Sequence, residues 1–188
     1  MWNLNNKTVV ISGATNGIGK AAAIELSKEN PKLLFTYRNQ SLADELLAEI
    51  KDISPNTQVQ SVYCDFSDQD SIKKCTNEIN DLCANIDVLI NNAGVVNTSY
   101  HETGEGIENT FAVNHLGYFL FTNLLLQKLK GDDETRIVNV SSAAHSFVKE
   151  MQWEDINFKN NFGQGLRSYG QSKLANLLFT RYLAIKLS

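Results

Sequence analysis

The sequence predicts an α/β protein built on a doubly wound parallel sheet. Five short apolar runs recur along the chain, and amphipathic helical patterns separate them. A glycine-rich turn at residues 13–19 follows the first run directly. Because strand and helix alternate throughout, helices are expected on both faces of the sheet. With 188 residues and 43% hydrophobic content the chain can bury one sizeable core, so we expect a single domain over residues 1–188.

The five apolar runs are rich in β-branched and aromatic residues, and each is short enough for a strand buried on both faces. In chain order the predicted strands are Thr8 to Ser12, Leu33 to Tyr37, Val59 to Tyr63, Val88 to Asn91 and Arg136 to Ser141. Apolar stripes at helical spacing separate the first four strands. They comprise Ile18, Ala21, Ala22 and Leu26, then Leu42, Leu46, Leu47 and Ile50, then Ile72, Cys75, Ile79, Leu82 and Cys83.

Three further signals complete the predicted order of elements. Ser41 with Asp44 resembles a capping box at the start of the second helix. Two longer helices are expected from Glu105 to Lys130 and from Leu166 to Leu187. The stretch from His145 to Gly165 is rich in Asn, Phe and Gly, and it predicts a long irregular segment between two candidate catalytic elements.

Composition and charge argue against several classes of protein. The net charge is −4 and no basic cluster is present, which argues against a nucleic-acid surface. The three cysteines form no Cys-x-x-Cys pair, which favours reduced thiols and a cytoplasmic location. The sequence shows neither a signal peptide nor an apolar run of membrane length, so a soluble protein is expected. The three histidines show no metal-ligand spacing, and no catalytic metal is expected.

The glycine-rich turn is the first candidate binding site. Gly13, Gly17 and Gly19 lie where the first strand gives way to the first helix, and Asn16 and Ile18 stand beside them. Glycines let the backbone approach a pyrophosphate, and the N–H groups at a helix start favour its charge. The pattern therefore predicts a dinucleotide site, with a tight turn that binds no ligand as the alternative.

A tyrosine and a lysine one helical turn apart form the candidate catalytic pair. Tyr169 and Lys173 share one face of the last predicted helix. The reference pKa of a phenol is about 10, so lowering it by roughly three units requires about 4 kcal/mol of preference for the phenolate. A neighbouring ammonium can supply that preference. The alternative is a chance pair on a solvated helix.

Together with further motifs, these residues resemble the short-chain dehydrogenase/reductase family. The shared motifs run from the glycine-rich turn through Cys64-Asp65-Phe66, Asn91-Asn92-Ala93-Gly94, Asn114 and Ser142 to Tyr169 and Lys173. The resemblance implies a Rossmann fold with strand order 3-2-1-4-5. Relatives continue past the last helix into further strands and a substrate lid, so we expect this chain to be C-terminally incomplete and to miss the usual last strands.

The resemblance implies a nicotinamide cofactor. Asp65, beside Phe66, would bind the adenine amino group or merely cap the next helix. Residues 92–94 would line the ribose side, or Asn91 and Asn92 would merely fix a turn. Arg38 follows the second strand with no acid at hand, which favours the 2'-phosphate of NADP over an ordinary surface charge. The implied cofactor-binding residues are Gly13, Asn16, Gly17, Ile18, Gly19, Arg38, Asp65, Phe66, Asn92, Ala93, Gly94, Tyr169 and Lys173.

The same resemblance implies a mechanism with four catalytic residues. Tyr169 would act as general acid or base at the substrate oxygen, while Lys173 would lower the pKa of Tyr169 and hold the nicotinamide ribose. Ser142 would donate a hydrogen bond to that oxygen, with Ser141 as the alternative after a one-residue slip. Asn114 would hold a water of the proton relay behind Lys173, or act as a structural hydrogen-bonding group.

Residues 153–156 and 172–176 look like the retinol dehydrogenase and WW-domain oxidoreductase branch of the family. This similarity implies NADP-dependent interconversion of a small lipophilic alcohol and its carbonyl compound. Trp153 and Phe158 would line the substrate pocket or merely pack the loop. A catalytically silent NADP-binding or partner-binding module and a sugar-nucleotide epimerase are the alternatives. The two long helices resemble helices that pair across subunits, which implies a homodimer or homotetramer.

Overall fold

The structure is a computed structural model that describes residues 3–129 and 135–187. It contains a five-stranded sheet in the order β3-β2-β1-β4-β5. The strands are β1 (Thr8–Ile11), β2 (Lys32–Tyr37), β3 (Gln58–Tyr63), β4 (Val88–Asn91) and β5 (Arg136–Asn139). β1 pairs in parallel with both β2 and β4, and β2 pairs in parallel with β3. The predicted doubly wound parallel sheet and its strand order are confirmed.

Helices alternate with the strands. They are α1 (Gly17–Ser27), α2 (Gln40–Ile53), α3 (Gln69–Leu82), α4 (Asn109–Phe111), α5 (Gly117–Leu125) and α6 (Leu166–Lys186). A π-helical segment, Ala112–Leu116, joins α4 to α5, and 3-10 turns occupy Ala143–Phe147, Trp153–Asp155 and Gly163–Gly165. Within residues 3–129 and 135–187, no helix is both long enough and apolar enough to cross a membrane.

The prediction of one helix from Glu105 to Lys130 is wrong. α4 begins only at Asn109, because the Glu108 carboxylate accepts hydrogen bonds from the first N–H groups of this helix and so fixes its start. The π segment then interrupts the α-helical pitch, and α5 ends at Leu125. Lys130 lies outside the described residues.

Two other local predictions differ from the structure. The capping box of Ser41 and Asp44 is wrong, because Asn39 caps α2 and accepts a hydrogen bond from the Leu42 N–H at 3.3 Å. Ile18 does not belong to a buried stripe, since 75% of it is exposed in the first turn of α1. Both errors fall at helix starts, where the backbone N–H groups without helical partners depend on the local turn.

Burial is greatest on the central strands. Val9, Val10 and Ile11 in β1 are fully buried, as are Leu33, Leu34 and Phe35 in β2. Register pairs Ile11 of β1 with Phe35 on one side and Ile90 on the other. β5 alternates between exposed and partly buried positions, and β3 does so except at Val62, which is buried, as expected at the two edges of a sheet. The prediction that every strand is buried on both faces is therefore wrong for these two.

The described residues group into two compact units. The first comprises those of Met1–Asp65, Asp70–Ala93 and Phe121–Val138, and the second those of Phe66–Gln69, Gly94–Leu120 and Asn139–Ser188. The first unit has an apolar core around β1, β2 and α2. The second has a smaller core built on Phe111, Met151 and Ala175. A single domain over residues 1–188 stays a prediction.

Candidate functional site

In the first unit, the glycine-rich turn packs directly against the end of β4. Gly13 has φ +66°, and its N–H donates to Thr36 Oγ1 at 3.1 Å. A Cβ on Gly13 would lie 2.6 Å from Ala93 Cα, and a Cβ on Gly19 would collide with the Asn92 amide and the Gly13 carbonyl. Two of the three glycines are therefore required by packing of the turn itself.

Gly17 differs from its two neighbours in the motif. It has φ +55°, but apart from its chain neighbours and the backbone of its own helix, no heavy atom of the described residues lies within 4 Å of the place a Cβ would occupy. α1 begins here, its N-cap Asn16 makes no side-chain capping bond, and its first turn carries no acidic residue. The free N–H groups of a helix start attract anions, so this open position fits a phosphate group. Ile18 lies exposed beside it.

Asn92 and Ala93 are tied to the strand end by Ser12. The Ser12 hydroxyl accepts hydrogen bonds from the N–H groups of Asn92 at 2.9 Å and Ala93 at 3.1 Å. The Asn92 side-chain amide donates in turn to the carbonyls of Ser12 at 3.0 Å and Gly13 at 2.9 Å. Asn92 therefore fixes the turn, which is the structural role given above as the alternative to a cofactor contact. A cofactor contact of Asn92 and Ala93 stays a prediction.

Arg38 and Asp65, predicted to bind different parts of the nucleotide, face each other in the first unit. Arg38 Nη1 lies 4.0 Å from Asp65 Oδ1, with side chains that are 62% and 26% exposed. Exposed ion pairs contribute only about 0–1 kcal/mol, so the guanidinium remains available to a stronger anionic ligand. The sequence has no acidic residue next to Arg38, and an ion pair with Asp65, which lies far along the chain, could not be predicted from the sequence.

In the second unit, Tyr169 and Lys173 lie on one face of α6 as predicted. Lys173 Nζ is 5.5 Å from the centre of the Tyr169 ring and donates to the Val140 carbonyl at 3.2 Å. The Lys173 side chain is buried, and this desolvation lowers the pKa of Lys173 from 10.5 to about 8. Its Nζ also lies 5.9 Å from the ring of Tyr118, a buried phenol whose pKa is raised by desolvation.

The same helix carries a second tyrosine and lysine at the same spacing. Lys186 Nζ lies 5.5 Å from the Tyr182 ring and 3.1 Å from its hydroxyl, but both side chains are exposed. Water screens charge at such a position, whereas the low dielectric around Lys173 strengthens its effect on Tyr169. Burial therefore separates the candidate catalytic pair from a solvated pair with an identical motif.

The structure distinguishes the two candidate serines. Ser141 Oγ donates to the carbonyl of Lys173 at 2.9 Å, so its hydroxyl hydrogen is already used within the second unit. Ser142 Oγ accepts from the Ala144 N–H at 3.2 Å, which leaves the Ser142 hydroxyl hydrogen for another acceptor. This arrangement favours Ser142 as the donor to a substrate oxygen. Its catalytic role stays a prediction.

Asn114 is fully buried in the π segment. Its Oδ1 accepts from the Val95 N–H at 2.8 Å, and its Nδ2 donates to the Val95 carbonyl at 2.9 Å and to Ser172 Oγ at 3.1 Å. The side chain therefore holds the segment after Gly94 against α6, which is the structural role left open above. A relay water held by Asn114 stays a prediction.

The remaining sequence candidates lie in the second unit in different surroundings. Gly94 is exposed, whereas Phe66 is buried with its ring edge-on to Tyr118. Phe158 is buried under the guanidinium of Arg167, which matches loop packing, while Trp153 is 74% exposed. Lining of a substrate pocket by Trp153 stays a prediction.

Sequence reasoning missed Glu108. This carboxylate is buried, and it accepts hydrogen bonds from the N–H groups of Thr110 and Phe111, both at 2.8 Å, and from Ser168 Oγ at 2.6 Å. It thereby connects the start of α4 to the residue before Tyr169. An acidic residue just before a helix is the only sequence signal for this role. In residues 3–129 and 135–187, no group of three or more His, Cys, Asp or Glu could hold a metal ion.

Comparison with known proteins identifies the family. The short chain dehydrogenase family profile matches residues 7–154. Human retinol dehydrogenase 13 is 37% identical over 181 residues, which cover 96% of this chain and 54% of that protein. Mouse retinol dehydrogenase 12 is 40% identical and is matched over 57% of its length. The chain therefore belongs to the short chain dehydrogenase family, and it spans about half the length of the curated relatives it matches.

Solved structures share the fold. An uncharacterised protein from Mycobacterium paratuberculosis superposes with a TM-score of 0.85 at 34% identity, over 98% of this chain and 64% of the other. A short-chain dehydrogenase from Sphingobium yanoikuyae, solved in complex with NADPH, has a TM-score of 0.76 at 24% identity, over 96% of this chain and 65% of the other. The second likeness shows the fold alone.

Proposed function

We propose that the protein is an NADP-dependent oxidoreductase that interconverts an alcohol and a carbonyl on a lipophilic substrate. The observation that carries this proposal is the buried Lys173 ammonium beside the Tyr169 ring on α6. Ser142 follows Ser141, which bonds the Lys173 carbonyl, and the Ser142 hydroxyl hydrogen is free to donate. Such a constellation suits proton transfer to or from a substrate oxygen.

The first unit fits the phosphates of the cofactor. The open position at Gly17 and the uncapped start of α1 would hold the pyrophosphate, and Arg38 would hold the 2'-phosphate in place of its weak pairing with Asp65. When bound, the nicotinamide supplies or accepts the hydride. The Sphingobium short-chain dehydrogenase, which shares the fold, was solved in complex with NADPH.

The residues of the second unit would manage the proton and the developing charge. In the reducing direction, the Tyr169 hydroxyl gives its proton to the substrate oxygen while Ser142 donates a hydrogen bond to that oxygen. Lys173, held by the Val140 carbonyl, stabilises the resulting phenolate by its charge. In the oxidising direction the same phenolate removes the alcohol proton.

The proposed substrate class rests on the relatives. Retinol dehydrogenases 13 and 12 are 37% and 40% identical to this chain, and their names specify a lipophilic alcohol. A small lipophilic alcohol or aldehyde is therefore the proposed substrate. The homodimer or homotetramer and the cytoplasmic location also stay proposals, which sedimentation and cell fractionation of the full-length protein would test.

The test is NADPH oxidation by the full-length protein with aldehydes of increasing chain length. Tyr169→Phe should abolish turnover while lowering NADPH affinity far less, because it removes the transferable proton but leaves the phosphate-binding groups of the first unit. Tyr182→Phe is the matched control, since it removes the exposed phenol of the identical motif on the same helix.

Full activity in Tyr169→Phe would refute the proposed mechanism. NADPH binding without turnover in the folded wild-type protein would favour the silent nucleotide-binding module instead.

A further inference from the structure

Asn176 is a fully buried amide on α6, three residues after Lys173. Its Nδ2 donates to two backbone carbonyls, that of Asn114 at 2.9 Å and that of Val140 at 3.3 Å. The Val140 carbonyl is also the acceptor for Lys173 Nζ. One side chain therefore binds the π segment and the oxygen that holds the candidate catalytic ammonium.

The orientation of this amide is fixed by its partners. Carbonyl oxygens only accept hydrogen bonds, so the NH₂ group of Asn176 must face Asn114 and Val140. The amide oxygen then faces His115, whose Nδ1 lies 3.0 Å from Asn176 Oδ1. Since that oxygen cannot donate, Nδ1 must carry the hydrogen, which settles the tautomer of His115 on chemical grounds.

His115 lies in an apolar environment that keeps its ring neutral, so it can hold the Asn176 amide as a hydrogen-bond donor. Its ring lies against Phe111 at 5.3 Å and Phe179 at 6.2 Å between ring centres. Burial lowers the pKa of His115 below 6.5, so the imidazole is neutral near pH 7 and acts there as a fixed donor to Asn176. Sequence reasoning considered this histidine only as a metal ligand.

We infer that Asn176, oriented by His115, is a positioning residue that fixes the Val140 carbonyl and through it the ammonium of Lys173. The inference rests on the proposed function, because it gives Lys173 the charge-stabilising role stated there. Lysine ends a flexible chain of four rotatable bonds, and its ammonium keeps one direction only if its acceptor is held in place. Asn176 holds that acceptor from a second side, leaving the other ammonium hydrogens for Tyr169 and the substrate site.

The first experiment is steady-state kinetics of the full-length protein. Asn176→Leu keeps a similar volume but removes all three hydrogen bonds, and kcat should fall by about 10²-fold, the loss typical of a misplaced catalytic group. His115→Phe keeps the aromatic packing and removes the donor, so kcat should fall by a smaller factor. Asn139→Leu is the matched control, because the half-buried Asn139 bonds Thr180, an exposed residue of the helix that carries Asn176.

The double variant tests whether His115 affects catalysis only through Asn176. If His115 acts only through Asn176, His115→Phe combined with Asn176→Leu should lose no more activity than Asn176→Leu alone. If the activity losses of the two single variants multiply in the double variant, the two residues act independently and the proposed pairing of His115 with Asn176 is overturned. Wild-type kcat in His115→Phe would overturn it too, even where Asn176→Leu fails to fold.

A second measurement reads Lys173 directly, without turnover. NMR titration of protein labelled with 13C at the lysine side-chain Cε, assigned with Lys173→Met, follows the Lys173 pKa. Asn176→Asp should raise that pKa by about one unit or more, because it puts a carboxylate beside the shared carbonyl. Asn139→Asp should change it much less, since the half-buried Asn139 side chain bonds the exposed Thr180 and not the shared carbonyl.

These measurements distinguish two kinds of failure. An unchanged Lys173 titration in folded Asn176→Asp overturns the positioning role whatever the reaction is. A wild-type protein that turns over no carbonyl substrate, but whose Lys173 titration responds to Asn176→Asp, overturns the proposed function and leaves the Asn176 geometry supported.

Discussion

Gly13 and Gly17 have similar backbone conformations but different surroundings, and replacing each by alanine separates folding from binding. Both have positive φ, +66° and +55°, so an L-residue is strained at either position by about 1–2 kcal/mol. At Gly13 the added methyl would also lie 2.6 Å from Ala93 Cα, a backbone atom that cannot rotate away. At Gly17 the methyl meets no heavy atom of the described residues within 4 Å.

The two substitutions should therefore differ in free energy of unfolding. Gly17→Ala should cost about 1 kcal/mol, which for a chain of this size lowers Tm by roughly 2–4 °C. Gly13→Ala adds an overpacking penalty of about 1–3 kcal/mol to the same strain, so its total is about 2–4 kcal/mol. Urea denaturation of both variants measures the difference.

The effect on NADPH binding is best measured in Gly17→Ala, because this variant should lose little stability. The methyl of Gly17→Ala would occupy the open position at the start of α1, so NADPH affinity should fall at least about tenfold in a protein that is still folded. Fluorescence titration with NADPH measures this. Gly104→Ala is the control, since Gly104 has no positive φ and no close neighbour among the described residues.

Two results would refute the reasoning. Wild-type NADPH affinity in Gly17→Ala would show that the open position does not hold the phosphates. Equal stability of Gly13→Ala and Gly17→Ala would show that the contact between Gly13 and Ala93 does not limit the turn.

Three further changes have distinct expected outcomes. Arg38→Ser should weaken NADPH binding by about 10-fold or more while changing NADH binding little, by calorimetry; equal losses would remove Arg38 from the 2'-phosphate site. Glu108→Ala should cost about 3 kcal/mol in urea denaturation, because it leaves two buried N–H groups and the Ser168 hydroxyl without their acceptor; a loss below about 1 kcal/mol would contradict this. Burial lowers the pKa of Lys173 from 10.5 to about 8, so the unfolded chain binds more protons between these values and stability should rise with pH there. Lys173→Met should lose that rise, and parallel pH curves for the two proteins would show that Lys173 titrates normally.

The parts of the fold that depend on local patterns were predictable from the sequence. The β1 to β4 runs have the residue types of buried strands, the glycine-rich turn has the spacing of a strand-to-helix turn, and the structure confirms both. Tyr169 and Lys173 share a face of α6 because the helix period dictates it. These features need only neighbours within one turn or one strand.

The parts that were wrong or missed depend on contacts distant in sequence. The π segment at Ala112–Leu116 has the composition of an ordinary helix, and the Asn114 bonds to Val95 and Ser172 that accompany it appear only after folding. Arg38 meets Asp65 only because β2 and β3 are adjacent. The sequence also contains Tyr182 and Lys186 at the same spacing as the candidate pair, and only burial tells them apart.

The π segment has a consequence for the helix that follows it. The Gly117 N–H bonds the Ala112 carbonyl five residues back, so this turn contains one residue more than an α-helical turn. Deleting that residue would rotate the start of α5 by about 100° and shift it by about 1.5 Å. Gly117 would then leave Phe66, which it meets so closely that even a methyl group would clash. Chimeras between this chain and its relatives must therefore exchange residues 109–117 as one block of constant length.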